Sequence, residues 1–356
     1  MKSTVSDFDK RMAIPPVQTE HVVFRPVSEA PFELTGFPWF AQDKVFRRMP
    51  VSPGEKLPEG VDFLANCTAG GKIRFATNSR RILIRGKRGD FDLTDTMAYT
   101  GRGGFDVYEG APGEERFLSV MRADPEKSEF VCSLAERPAS SWQTYTVYFP
   151  LYKGVVSVEI GLCEEAEVAP PPPLASPPLA IYGTSITQGG CASRPGMCYP
   201  NILSRRLGRH VLNFGFSGCG RGEPEVARIL ASLPEAALYL LDFEPNVEGR
   251  YAALLPPFIR ELRQKKPDTP ILALTRYRYT RYPIPEHQVE ETRKALEALQ
   301  DPRLFFLDGS NILGPDGSEC LVDGIHASDM AFYRMANALE STLKTLLPPS
   351  PKQHHG

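Results

Sequence analysis

Apolar and polar positions alternate in short runs through the first half of the chain, whereas the second half carries short runs that are apolar throughout. Upstream, Ile73-Arg-Phe75, Arg81-Ile-Leu-Ile-Arg85, Thr144-Tyr-Thr-Val-Tyr-Phe149 and Val156-Ser-Val-Glu-Ile160 are rich in β-branched and aromatic residues. In the last of these, Val156, Val158 and Ile160 alternate with Ser157 and Glu159, the period of a strand with one wet face. Glycine and proline clusters separate the runs and no long amphipathic helix interrupts them, so residues 20–167 read as an antiparallel β-sandwich. Downstream, Leu179-Ala-Ile-Tyr182, His210-Val-Leu-Asn-Phe214, Ala237-Leu-Tyr-Leu-Leu241, Pro270-Ile-Leu-Ala-Leu274 and Arg303-Leu-Phe-Phe-Leu307 have the texture of parallel strands buried on both faces. Helices are predicted between them near 198–207, 223–233, 251–265 and 286–299. The final helix, 328–347, repeats Phe332, Met335, Ala336, Leu339, Leu343 and Leu346 at three-to-four spacing, so one face docks on the sheet. Five β-then-α units over 179–347 predict an α/β doubly wound parallel sheet with right-handed crossovers, whose ligands bind at the carboxyl ends of the strands.

Composition adds a boundary. At 356 residues the chain suits about two domains. Six of its 34 prolines fall within Val168-Ala-Pro-Pro-Pro-Pro-Leu-Ala-Ser-Pro-Pro-Leu179. Residues 168–178 are therefore expected to act as a semi-rigid polyproline linker. A formal net charge of -2 offers no global basic field for nucleic acid or anionic membrane, and no apolar run is long enough to span a bilayer. The opening MKSTVSDFDKRMAIPP is charged where a secretion signal would be apolar, so a cytoplasmic location is expected. Seven cysteines without a CxxC pair suggest reduced, structural thiols, with no metal and no cofactor required.

The candidate chemistry lies just beyond the apolar runs. In Ile181-Tyr-Gly-Thr-Ser-Ile-Thr-Gln-Gly-Gly190, Ser185 could serve as a nucleophile or simply cap a helix. Asn213-Phe-Gly-Phe-Ser-Gly-Cys-Gly-Arg-Gly222 brings backbone close to a ligand, with Gly218 able to present an N–H. Asn246, after Leu241-Asp-Phe-Glu-Pro, either donates to developing negative charge or shapes a turn. Asp323-Gly-Ile-His326 precedes the last helix; at that spacing a carboxylate can hold one imidazole nitrogen and leave the other free to accept a proton.

Taken in order, these four blocks resemble the SGNH, or GDSL-type, hydrolase superfamily over residues 179–347. The resemblance implies Ser185 as nucleophile, His326 and Asp323 as the other triad members, and Ser185, Gly218 and Asn246 as oxyanion donors. Thr184 stands where the family's GDS opening has Asp, and Phe243-Glu-Pro-Asn246 departs from the usual GxND. Upstream, Gly104-Phe-Asp-Val-Tyr108 is similar to the GxDLY motif of a sandwich domain fused to one subgroup. That subgroup also has stretches like Gly196-Met-Cys-Tyr199 and Gly215-Phe-Ser-Gly-Cys-Gly-Arg-Gly-Glu-Pro-Glu225. By themselves Asp106 and Tyr108 read as a strand-end turn and a core aromatic.

The expected activity is hydrolysis of a small acyl ester, acetyl first, through an acyl-enzyme, on a small-molecule or saccharide alcohol. Arg276, Tyr277 and Arg278, in the loop after the fourth parallel strand, could line the substrate, or the tyrosines could cover core. Two other classes fit less of the sequence. A silent binding module would not need the complete Ser-His-Asp set. A dinucleotide-binding oxidoreductase would use Gly218-Cys-Gly-Arg-Gly222 and Asp242, but Glu223 and Pro224 break the fingerprint and a carboxylate there would repel pyrophosphate.

Overall fold

The computed structural model describes residues 5–89, 95–280 and 285–348. Strands β1 to β10 run Val22–Pro26, Glu33–Thr35, Lys72–Thr77, Arg81–Arg88, Asp106–Glu109, Arg116–Val120, Glu129–Glu136, Gln143–Tyr148, Val155–Cys163 and Val168–Ala169. They form two antiparallel sheets, ordered β1-β9-β4-β7 and β10-β3-β8-β5-β6, with β2 added on β3. Inward residues of both sheets, among them Ile73, Phe75, Ile82, Ile84, Val147, Val158 and Ile160, make one apolar core.

Strands β11 to β15 are Ala175–Gly183, Arg209–Gly215, Leu238–Asp242, Ile271–Leu274 and Leu304–Leu307, all parallel in the order β12-β11-β13-β14-β15. Because both faces are buried, neighbouring residues of one strand feed different cores. Leu179 and Ile181 pack with helices Tyr199–Arg206 and Asp329–Leu346. Ala180 and Tyr182 pack with helices Pro224–Ala231, Tyr251–Arg263 and Glu286–Glu297. Among the described residues no helix is long and apolar enough to cross a membrane.

The proline run is a shorter joint than its composition suggests. Val168 and Ala169 pair with β3 as β10, and β11 already begins at Ala175. Extended polyproline geometry merges readily into strand geometry at both ends. Between them, Arg74 Nη2 donates to the Pro172 carbonyl at 2.6 Å and fastens the crossing to the sandwich.

The two halves are clamped together by buried polar groups. Asp106, fully buried at the start of β5, accepts hydrogen bonds through Oδ2 from Arg194 Nη1 and from the Gly196 N–H, each at 2.9 Å. Tyr108, two residues on, bonds Arg194 through its hydroxyl, and Arg205 stacks 3.9 Å from its ring centroid. A Cβ on Gly196 would stand 2.4 Å from the Tyr108 ring, so only glycine allows this contact. The two motifs that the sequence presents 90 residues apart therefore meet as one interface. Lys72 on β3 makes a second tie, donating to Ser204 Oγ at 2.6 Å.

Candidate active site

Ser185 opens the short helix Ser185–Gln188 directly after β11. Thr184 is the cap: its side chain accepts from the Ile186 N–H, which frees the Ser185 hydroxyl from that task. Ser185 Oγ lies 3.1 Å from His326 Nε2, and His326 Nδ1 lies 2.7 Å from Asp323 Oδ2. The other Asp323 oxygen accepts the backbone N–H groups of Ile325 (3.0 Å) and His326 (2.8 Å). Partial burial alone would raise the Asp323 carboxyl, but these bonds and the imidazole outweigh it and bring it down to about 2. Asp323 is thus a firm anion that orients the ring.

The turn carrying Asp323 and His326 is held from behind. Tyr277 Oη donates to the Ile325 carbonyl at 2.8 Å, and the Thr280 N–H and hydroxyl both donate to the Gly324 carbonyl at 3.1 Å. This corrects the substrate-loop expectation for Tyr277, which is 2% exposed and part of the core. Burial alternates after β14: Tyr277 and Tyr279 are buried, Arg276 is half-buried and Arg278 is exposed. Arg278 donates to Asn311 Oδ1 at 3.3 Å. Arg276 stacks 4.5 Å from the Tyr279 ring centroid and lines a separate cavity.

The second block packs on the end of β11 that leads into Ser185: the Phe216 N–H donates to the Gly183 carbonyl at 3.0 Å. Gly218 has φ of 68° and its N–H, like that of Ser185, has no hydrogen bond among the described residues. The neighbouring Ser217 N–H is already held by Gln188 Oε1 at 3.0 Å. Asn246 sits in the turn Glu244–Asn246 after β13 and donates through Nδ2 to the Gly220 carbonyl at 3.1 Å. Its remaining contact, to the Phe216 carbonyl at 3.5 Å, is at the limit of a hydrogen bond. Asn246 thus braces the glycine turn and keeps one weakly held N–H.

No dinucleotide cradle forms here. A Cβ on Gly220 would stand 2.0 Å from the Gly183 carbonyl oxygen, so the glycine serves packing against β11. Glu223 bonds Tyr182 through the latter's hydroxyl. Asp242 is buried, accepting from Tyr199 Oη at 2.8 Å and Thr187 Oγ1 at 2.9 Å.

A pocket of about 400 Å³ opens beside His326, and both halves of the chain build it. Gly190, Cys191, Ser217 and Cys219 supply one side; Phe63, Thr96 and Tyr152 supply the other. Phe63 and Gly60 belong to helix Glu59–Leu64, which also carries the Leu64 carbonyl that accepts from Arg48 Nη2 at 2.7 Å. Arg48 is wholly buried and also donates to the carbonyls of Cys67 (2.7 Å), Asn213 (3.2 Å) and Gly215 (2.5 Å). One guanidinium thus locks the pocket wall to the second block. Sequence reading missed Arg48 and this helix; Arg47-Arg48 looks like an ordinary surface pair.

A serine at a strand end, joined through histidine to an ionised aspartate at the carboxyl end of a parallel sheet, defines the serine-hydrolase class of site. Residues 176–344 match the GDSL-like lipase/acylhydrolase family, and residues 22–168 match the GxDLY family, the N-terminus of SGNH-hydro-type esterases. The chain belongs to the SGNH, or GDSL-type, hydrolase superfamily, in the subgroup with an N-terminal GxDLY domain, and is an ester hydrolase.

Solved structures share the whole two-domain plan. A protein described as a GDSL-like lipase from Bacteroides ovatus ATCC 8483 is 28% identical with a TM-score of 0.83, over 93% of this chain and 100% of that one. The salicylyl-acyltransferase SsfX3 from a tetracycline biosynthetic pathway is 17% identical with a TM-score of 0.72, over 92% and 98%. A family two carbohydrate esterase from Cellvibrio japonicus is 12% identical with a TM-score of 0.59, over 91% and 98%. The last two establish likeness of fold alone. No curated protein sequence matches the chain.

Proposed function

We propose that the protein hydrolyses a small acyl ester, an acetyl ester first, through an acyl-enzyme on Ser185, and that the alcohol is a saccharide. The observation that carries the chemistry is the unbroken relay from Ser185 Oγ through His326 to Asp323. In the first half-reaction Ser185 Oγ attacks the acyl carbonyl while His326 Nε2 takes the hydroxyl proton. The C–O bond to the alcohol then breaks, and the alcohol oxygen leaves with that proton. In the second half-reaction water adds to the acyl-enzyme, its proton passes through His326 to Ser185, and the free acid departs. Asp323 stays ionised throughout and stabilises the imidazolium. The oxyanion rests on the N–H groups of Ser185 and Gly218, with the weakly held N–H of Asn246 as third donor.

The saccharide alcohol is supported by the carbohydrate esterases among the proteins of like fold, which include an acetyl xylan esterase from the rumen bacterium Butyrivibrio proteoclasticus. A silent binding module has no use for the assembled relay. The test is a fluorophosphonate probe together with p-nitrophenyl acetate. The parent should label at Ser185 and turn over the ester, and Ser185→Ala should lose labelling and about 10⁴-fold or more in kcat. Turnover at the parent rate by Ser185→Ala sinks the proposal.

A further inference from the structure

A second cavity, of about 530 Å³, lies across the Asp323–His326 turn from the first. The shared wall is the turn itself: Ile325 lines this cavity and His326 lines the other. Its remaining walls are the loops after β13 and β14 and the start of helix Glu286–Glu297, so it too sits at the carboxyl edge of the sheet.

The polar groups here are underused by the protein. Glu244 is 3% exposed, accepts the Arg276 N–H through Oε2 at 2.6 Å, and has no bond to its other oxygen among the described residues. Burial pushes its carboxyl up to about 7, so near neutral pH it can both accept and donate. Tyr279 is 9% exposed and its buried hydroxyl has no partner among the described residues. Such groups in a folded protein ordinarily meet a ligand or water. Gln288 adds an amide, while Pro245 and Ile325 offer apolar surface. Glu248 offsets Arg276 and Glu244 is partly neutral, so the described lining carries no net positive charge to attract an anion.

We propose that this second cavity binds a neutral sugar unit, the alcohol half of the substrate, with the ester placed at His326 between the two pockets. Hydrogen-bonding groups around apolar patches match the hydroxyl edge and C–H face of a pyranose, and the absence of net positive charge disfavours uronates and phosphorylated sugars. Calling the sugar the alcohol half rests on the esterase reading; the binding itself does not.

Calorimetry on the full-length Ser185→Ala protein separates the two. Cellohexaose, xylohexaose, mannohexaose and tetragalacturonate are titrated in turn. Saturable binding of at least one neutral oligosaccharide is expected. Gln288→Trp, which fills the cavity from the helix surface, should weaken it at least tenfold. Tyr279→Phe, which deletes a hydroxyl with no partner among the described residues, should weaken it at least threefold in a background of unchanged circular dichroism. No saturable binding by the folded protein, equal affinity in both variants, or tighter binding of tetragalacturonate each overturns the proposal. The esterase reading stands or falls separately, on p-nitrophenyl acetate turnover by the parent.

Discussion

Asp106→Ala tests whether the GxDLY motif is an interdomain clamp. The substitution leaves the buried Gly196 N–H without an acceptor, at a cost of about 1–3 kcal/mol. It also strips Arg194 of its carboxylate. Breaking a fully buried ion pair costs about 3–5 kcal/mol, but the Arg194 side chain is 18% exposed and keeps the Phe117 ring at 3.7 Å, so the lower end applies. The burial that pushes the Asp106 carboxyl up, against the pull of Arg194 and Gly196, reduces the net further, because removing the acid also removes its desolvation penalty. A loss of about 3 kcal/mol is the resulting expectation. Urea unfolding followed by tryptophan fluorescence reads it, since Trp39 and Trp142 both lie upstream of the joint. Asp106→Asn should lose about half as much, because an amide oxygen still accepts from Gly196. The Asp106→Ala/Arg194→Ala pair should fall short of additivity by about 1 kcal/mol. A loss under about 0.5 kcal/mol, or full additivity, refutes the clamp.

Asn246→Ala should lower kcat by about 100- to 1,000-fold with little change in KM, and a loss under tenfold leaves the residue as a turn brace only. Phe63→Ala should favour longer acyl chains: two methylenes at about 0.8 kcal/mol each allow up to about a 15-fold rise in the butyrate-to-acetate ratio of kcat/KM. An unchanged ratio removes the helix Glu59–Leu64 from acyl selection. Burial pushes the Asp242 carboxyl up to about 7, well beyond what the Tyr199 and Thr187 hydroxyls recover. Between about pH 4 and 7 the folded state then holds a proton that the unfolded state has lost, so Asp242 makes stability fall as pH rises. Its share is bounded by three units at about 1.36 kcal/mol each, or about 4 kcal/mol. Denaturation midpoints at pH 5 and pH 8 should converge in Asp242→Asn relative to the parent, with the other carboxyls that burial raises, Glu244 and Asp106 among them, contributing to what slope remains.

The parallel sheet was legible because β13 and β14 are buried throughout, β11 is buried from Leu179 on and β12 from Val211 on, and the half-buried edge strand β15 is still wholly apolar. The sandwich strands were harder. β6 contains no buried residue and so has no core signal to read. β7 does alternate, with Phe130, Cys132 and Leu134 inside, a pattern that was available in the sequence. Ser185, Asp323 and His326 were legible because each is fixed by its own strand end or turn. Arg48 was not, since its partners Asn213 and Gly215 lie 165 and 167 residues away and leave no local pattern. The tyrosines of Thr275-Arg-Tyr-Arg-Tyr-Thr-Arg-Tyr282 show the opposite failure: an exposed-looking composition hides an alternation that buries Tyr277 and Tyr279.

The helix Glu59–Leu64 comes from one half of the chain and faces the histidine of the other. Recombination between relatives at the proline joint would therefore graft a foreign wall onto a native nucleophile. Such chimeras should inherit the rate-determining chemistry from one parent and the choice of acyl group from the other. New specificities in this architecture can arise by exchanging the domain that holds no triad residue.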